Sequence, residues 1–126
     1  MSMNEDLKKA LAADTDGLKS YEYLANHIDS APEVIGDIIE NISRVDRTGQ
    51  FAVSTARYLN AIDTAKFAPE ISTLIGLAIE KDREHRYLGD LLVSIWGEDY
   101  ASRADELNGS DDNFRRIYKR LFPKGF

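Results

Sequence analysis

The sequence predicts an all-α protein: an antiparallel up-down helical bundle with three long helices and a short C-terminal helix. Apolar side chains recur at steps of three and four residues, as they do along one face of a helix. Gly and Pro are few, which favours long regular elements, and no segment shows the alternation of a half-buried strand. With 126 residues the chain has the usual size of one domain, so residues 1–126 are interpreted as a single domain.

The first predicted helix spans residues 3–28, and its apolar stripe is interrupted once, at Asp14. The stripe consists of Leu7, Leu11, Leu18, Tyr21, Ala25 and Ile28. Ser30 and Glu33 then form a capping box that begins a second helix, which runs to about Ile62. Small residues occupy the second half of this helix. We expect them, Gly49 included, to let a neighbouring helix approach closely.

A third helix is predicted from Ala-Pro-Glu at residues 68–70 to Trp96, with Gly97 as its stop. Residues 98–109 indicate a short helix and a turn. Ser110 is predicted to cap a short basic helix over residues 111–122, which Pro123 ends. Ala-Pro-Glu also stands at residues 31–33 and is interpreted as a reused helix start; no longer internal repeat is predicted.

Composition and charge exclude several classes of function. The chain has no cysteine, so disulfides and thiolate chemistry are ruled out. Residues 1–9 lack the pattern of a secretory signal and no stretch has the length and apolarity of a membrane span, so we expect a cytoplasmic protein without membrane contact. The net charge of -6 disfavours nucleic-acid binding. Neither a nucleophile turn nor a glycine-rich phosphate loop is present, which argues against nucleophilic and nucleotide enzymes.

A polar layer is predicted at mid-height in the bundle, because polar residues interrupt or flank each long stripe near its centre. A carboxylate in a bundle core is costly unless it is paired, protonated or bound to a metal. One interpretation is an iron or manganese site, since Asp and Glu oxygens and a His three residues after a carboxylate suit these metals. Its candidate ligands are Asp14, Asp46, Glu80, Asp82, Glu84 and His85. The other is a structural layer in which nearby arginines pair with these acids.

The segment ALAADTDGLKSYEYL, residues 10–24, resembles the first helix of ferritin-like and rubrerythrin-like proteins. In that family a ligand carboxylate is followed three residues on by a small residue and four later by an aromatic one, as at Asp14, Gly17 and Tyr21. Glu80, Arg83 and Tyr87 match the same spacing on the third helix, with an arginine in place of the small residue. The resemblance implies a ferritin-like bundle with a carboxylate-bridged metal site.

The family's two Glu-x-x-His motifs fall on Asp46 and Gly49 and on Asp111 and Phe114, so both histidines are absent. The resemblance therefore implies a degenerate site, or one rebuilt around residues 80–85. We expect a non-catalytic structural or protein-interaction role. The alternative is an iron- or manganese-binding protein or an oxidase-type enzyme.

The C-terminal helix is basic on one side and apolar on the other. Its charges, Arg115, Arg116, Lys119 and Arg120, suit an acidic partner, anionic lipid or nucleic acid, whereas the simpler interpretation packs its apolar side on the bundle. Because this helix is short, part of the groove between the three long helices is left uncovered, and a homodimer is expected to bury it. The larger aromatic residues Tyr21, Tyr58, Tyr87 and Trp96 are expected in the core, and His27 at the surface.

Overall fold

The computed structural model describes residues 5–123, and within this range the protein is all-α, as predicted, without a β-strand. Its eight α-helices are α1 (Glu5–Ala13), α2 (Leu18–Asn26), α3 (Ala31–Val45), α4 (Gln50–Asp63), α5 (Ala68–Lys81), α6 (Leu88–Trp96), α7 (Ala104–Ser110) and α8 (Asp112–Leu121). Two short 3-10 helices, Ile28–Ser30 and Tyr100–Arg103, precede α3 and α7. None of the described helices is both long and apolar enough to cross a membrane.

The prediction of three long helices is wrong, because each of them is divided near its centre. Residues 3–28 contain α1 and α2, the second segment contains α3 and α4, and the third contains α5 and α6. Each break follows a buried aspartate and contains a residue with positive φ: Gly17 at 110°, Gly49 at 85° and His85 at 57°. A left-handed residue cannot continue a right-handed helix, so the chain must turn at these points.

The helices form two layers of stacked hairpins. In the first layer α4 packs against both α2 and α6, and in the second layer α3 packs against both α1 and α5. Within a hairpin, α2 packs on α3 and α4 packs on α5. Between α1 and α6 each helix therefore contacts the next but one along the chain. This order is typical of α-solenoids.

The unit that repeats consists of a loop that begins at a buried aspartate, a first-layer helix, a short connection and a second-layer helix. Its Asp14, Asp46 and Asp82 follow one another at intervals of 32 and 36 residues, close to the usual length of a helical-hairpin repeat. The second-layer helices α3 and α5 begin with Ala-Pro-Glu, and α7 begins with the related Ala-Asp-Glu at 104–106. The units share spacing and capping residues but few other side chains, so the repeat is one of structure, and the sequence shows no longer internal repeat than Ala-Pro-Glu.

The core lies between the two layers and is closed at its end by α8. Phe114 and Ile117 of α8 are fully buried, which confirms that this helix packs its apolar side on the rest of the protein. The other large, fully buried side chains are Leu7, Leu24, Ile38, Ile42, Leu59, Leu74, Ile75, Leu88, Leu91 and Leu92. The end of α6 at Gly97 is as predicted.

Two predicted helix caps are wrong in detail. The side chain of Ser30 makes no capping hydrogen bond to α3, because this residue belongs to the preceding 3-10 helix. The final helix is capped by Asp111 instead of Ser110: Asp111 Oδ1 accepts from the backbone N–H of Phe114 at 3.0 Å.

Candidate functional site

The structure divides the six predicted metal ligands into two groups. Asp14, Asp46 and Asp82 are buried, with exposures of 5%, 1% and 2%. Glu80, Glu84 and His85 are exposed. Among residues 5–123 no three His, Cys, Asp or Glu side chains lie close enough together to hold a metal ion, so the six are not brought together in one site.

Asp14 binds the backbone of the loop that follows it. Its Oδ1 accepts from the backbone N–H of Asp16 at 3.3 Å and of Gly17 at 2.9 Å. Its Oδ2 accepts from the backbone N–H of Ser20 at 2.9 Å and from the Ser20 hydroxyl at 2.5 Å. Both carboxylate oxygens are therefore used in turning the chain from α1 into α2.

Asp46 makes the same arrangement between α3 and α4. Its Oδ1 accepts from the backbone N–H groups of Thr48 at 3.2 Å and Gly49 at 2.9 Å. Its Oδ2 accepts from those of Phe51 at 3.1 Å and Ala52 at 2.9 Å. The backbone N–H of Asp46 also donates to the Ile42 carbonyl at 2.9 Å, so this one residue ends α3 and caps α4.

Asp82 binds backbone N–H groups in the same way between α5 and α6. Its Oδ1 accepts from the backbone N–H of Arg86 at 2.9 Å, and its Oδ2 accepts from Tyr87 at 2.7 Å and Leu88 at 2.8 Å. We call the three segments 14–17, 46–49 and 82–87 the aspartate loops. In all three, a carboxylate at a helix N-terminus is stabilised by charge-assisted hydrogen bonds and by the helix dipole.

The ionisation of Asp14 is consistent with this role. Burial by itself raises the pKa of the Asp14 carboxyl, but hydrogen bonds from the hydroxyl and backbone of Ser20 and from the backbone of Gly17 and Asp16 outweigh it, and the pKa is lowered. The carboxylate form is therefore favoured in the folded protein without a neighbouring cation.

The aspartate loops contact neighbouring units in the stack. A Cβ added to Gly49 would lie 3.1 Å from Asp82 Cβ, and one added to Gly17 would lie 2.8 Å from Phe51 Cβ. Asn41 links α3 to both helices that flank the first loop, because its Nδ2 donates to the Ser20 hydroxyl of α2 at 2.8 Å and to the Leu11 carbonyl of α1 at 3.2 Å. The predicted polar layer therefore exists as a set of backbone-binding groups.

The exposed candidates do not join this layer. Glu84 pairs with Arg86, with 3.1 Å between Oε2 and Nε. His85 lies in the third loop, where its backbone N–H donates to the Asp82 carbonyl at 3.1 Å. His27 is exposed as predicted and stacks on Tyr23, with 3.9 Å between ring centroids.

A second candidate site is an open groove across the first layer, which sequence reasoning missed. It has a volume of about 410 Å³, and we call it the tyrosine groove. Its lining comes from α2, α4 and α6: Tyr21, Ser54, Arg57, Tyr58, Asn60, Ala61 and Ser94. Tyr21 and Tyr58 were expected in the core, but both are only partly buried and meet edge-to-face with ring centroids 6.1 Å apart. Their helical spacing alone could not distinguish a core position from a groove.

Comparison of the chain with protein-family models, curated proteins and solved structures found no match in any of the three. The structure therefore defines the class of protein by itself: an all-α protein of stacked helical hairpins joined by aspartate loops. The ferritin-like resemblance stays a prediction.

Proposed function

We propose that this protein is a non-catalytic interaction module that binds a polypeptide across the tyrosine groove. The observation that carries the proposal is the composition of this groove, in which two partly exposed tyrosines and an arginine lie among small uncharged side chains. Tyr and Arg are the residues most enriched at the energetic centres of protein interfaces. Extended surfaces across stacked helices are also the usual binding surfaces of solenoid proteins.

Exposed apolar side chains on the same three helices support a protein partner. Leu18 on α2, Ile62 on α4 and Val93 on α6 are 40%, 48% and 45% exposed. Ile62 and Val93 are chain neighbours of Ala61 and Ser94, which line the groove. An apolar surface spread over neighbouring elements is typical of an interaction site.

The partner that we propose is a second copy of this chain, which gives a homodimer. An interface with two-fold symmetry must carry both members of each complementary pair on the same surface. Arg57 lies in the groove without a carboxylate within 4 Å among the described residues, and the exposed Glu22 follows Tyr21 on α2. A two-fold arrangement that sets Arg57 of one copy against Glu22 of the other would satisfy both charges.

The oligomeric state tests this proposal directly. Sedimentation velocity of the full chain should show a dimer at concentrations of about 50 µM, and Ile62→Asp should shift it to monomer because a buried unpaired charge opposes association. Ala101→Asp adds the same charge at an exposed position outside the groove and should leave the dimer intact. A monomeric wild-type chain, or equal dissociation in both variants, would contradict the proposed homodimer.

The non-catalytic part of the proposal rests on the aspartate loops. Each buried carboxylate already accepts at least three hydrogen bonds from its own loop and the start of the next helix, which explains its burial without a metal. An iron or manganese site stays a prediction, and elemental analysis after purification without chelators tests it. Stoichiometric metal that is lost in His85→Ala without unfolding would favour the alternative, a metal-binding protein or oxidase.

A further inference from the structure

An open basic groove lies between α5, the third aspartate loop and α8. It has a volume of about 600 Å³. Its lining residues are Ile79, His85, Arg116, Lys119, Arg120 and Pro123. The geometry points to a binding site for a small organic phosphate, whose phosphoryl group meets the basic side chains and whose organic part lies on Ile79 and Pro123.

The cations of this groove form no ion pair with the residues that the structure describes. Among residues 5–123 no carboxylate lies within 4 Å of Arg116, Lys119 or Arg120. Arg115 on the same helix differs, since its guanidinium pairs with Asp112 at 2.5 Å and donates to the Asn108 carbonyl at 2.9 Å. The chain has a net charge of -6, yet this groove holds three cations without a carboxylate partner among residues 5–123. Such an arrangement favours a multiply charged anion.

Helix α5 has a glycine where the guanidinium of Arg116 approaches it. A Cβ added to Gly76 would lie 2.9 Å from Arg116 Nη2. Gly within a helix lowers helix propensity, so the position disfavours α5 and at the same time makes room for this side chain. Arg116 is further held by a hydrogen bond from Nη1 to Asn113 Oδ1 at 3.1 Å.

His85 is the second locally unfavourable residue at this groove. Gly17 and Gly49 occupy the corresponding left-handed positions of the first two loops, whereas His85 is the one non-glycine residue with positive φ between residues 5 and 123. A histidine is less favourable than glycine in this conformation, and such backbone strain is concentrated at binding sites. The third loop therefore has a less favourable backbone conformation at His85, and in exchange the histidine places a ring N–H donor in the lining of the groove.

The volume and lining suit a small molecule. Sites for small ligands have volumes of about 300–1000 Å³ and combine apolar walls with a few polar groups. Two arginines can each donate two hydrogen bonds to a phosphoryl group, and a lysine adds a third charge. A phosphate monoester, which is close to doubly charged at neutral pH, fits this set better than a monocarboxylate does.

A titration with phenyl phosphate, phenol and benzoate tests the proposal. Amide chemical shifts of the ¹⁵N-labelled full chain report where each compound binds. Phenyl phosphate should perturb the amides of the groove residues at concentrations below about 1 mM, with an affinity about tenfold above that of benzoate, and phenol should cause no saturable change. Equal affinities for phenol and phenyl phosphate, or no perturbation up to about 10 mM, would overturn it.

Variants on one helix provide the matched comparison. Lys119→Ala and Arg120→Ala should each weaken phenyl phosphate binding by about three- to tenfold, because each removes one of the charges that would contact the phosphoryl group. Arg115→Ala removes the same charge from the same helix outside the groove and should change the affinity by less than about twofold. Equal losses in all three variants would show non-specific attraction to a basic helix and overturn the site.

His85→Gly separates a binding role from a structural one. Relief of the left-handed histidine should raise the melting temperature by about 2–5 °C, while phenyl phosphate binding weakens. Unchanged affinity would remove His85 from the site. Arg47 is an exposed residue of the second aspartate loop, outside this groove. If a 12-nucleotide single strand binds more tightly than phenyl phosphate and loses affinity equally in Arg47→Ala and Lys119→Ala, the surface binds a phosphate backbone and the small-molecule proposal is overturned.

Discussion

The three buried aspartates bind backbone N–H groups that would otherwise lack a partner at the start of a helix. Four N–H groups at every helix start have no acceptor within the helix. One carboxylate accepts hydrogen bonds from several of them, and at Asp14 these hydrogen bonds lower the pKa of the carboxyl. A single residue type at three positions thus explains both the polar interruptions of the apolar stripes and the turns of the chain.

Replacing Asp46 by alanine should be strongly destabilising. The substitution leaves four backbone N–H groups without their acceptor, so we expect the free energy of unfolding to fall by about 2–4 kcal/mol. Urea denaturation followed by circular dichroism measures the loss. Glu40→Ala removes an exposed carboxylate from the same helix, α3, and should change the value by no more than about 0.5 kcal/mol. Similar losses in both variants would contradict the capping role.

Acid should weaken the protein in part through Asp14. Because the folded-state pKa of Asp14 lies below the unfolded value, its stabilisation is fully present above the ordinary aspartate pKa of about 4 and is lost as the pH falls through the folded pKa. Asp14→Asn should therefore be less stable than wild type at pH 7, and the difference should shrink in acid. A difference that stays constant between pH 7 and pH 2 would contradict this assignment.

At the scale of elements, the left-handed glycines determine where one helix ends and the next begins. Gly17 combines a φ of 110° with a close approach to Phe51. Gly36, within α3, has no atom within 4 Å of the position that a Cβ would take. The same substitution should therefore have opposite effects at the two positions.

Gly17→Ala should lower the free energy of unfolding by about 1–3 kcal/mol, since a side chain is strained in this conformation and Phe51 would have to move. Gly36→Ala should raise it by about 0.5–1 kcal/mol, because alanine is the better helix former and fits without contact. Thermal and urea denaturation of the two variants measure both signs. A stabilising Gly17→Ala would show that the first loop tolerates a continuous helix.

The helix stripes could be predicted from sequence, but the breaks within them could not. Gly49 stands at an apolar position of a regular stripe, where a small residue for close packing and a left-handed turn residue look alike. Asp14 and Asp46 could likewise be metal ligands or backbone acceptors, since both roles require a buried carboxylate. The spacing Asp-x-x-Gly, found at 14–17 and again at 46–49, was the available signal. The third loop, residues 82–85, departs from this spacing because His85 stands where the first two loops have glycine.

At the scale of the whole molecule, stacked hairpins leave an open end that must be covered. Helix α8 covers it by burying Phe114 against Trp96, with ring centroids 5.2 Å apart, and by turning basic side chains outward. Terminal helices with a polar outer face have this role in repeat proteins. The tail could be predicted to pack from its apolar spacing, but the surface that it covers depends on contacts between distant units.

Phe114→Ala should therefore destabilise the whole protein. Removal of a fully buried phenylalanine costs about 3–5 kcal/mol, and in a stack this loss exposes the last unit. Denaturation should show the lower midpoint, and binding of a hydrophobic dye should increase. Phe122→Ala, at a side chain 38% exposed, should cost less than about 1.5 kcal/mol. A comparable loss at Phe122 would contradict a specific covering role for Phe114.

The aspartate loops also bear on how such a chain changes in evolution. The first two complete units begin at one aspartate loop and end at the next, so insertion or loss of a whole unit would recreate the same junction on either side. A change of any other length would separate a carboxylate from the N–H groups that it binds. We therefore expect related chains to differ in length by steps of about 35 residues, with loop aspartates retained more strictly than the faces that they position.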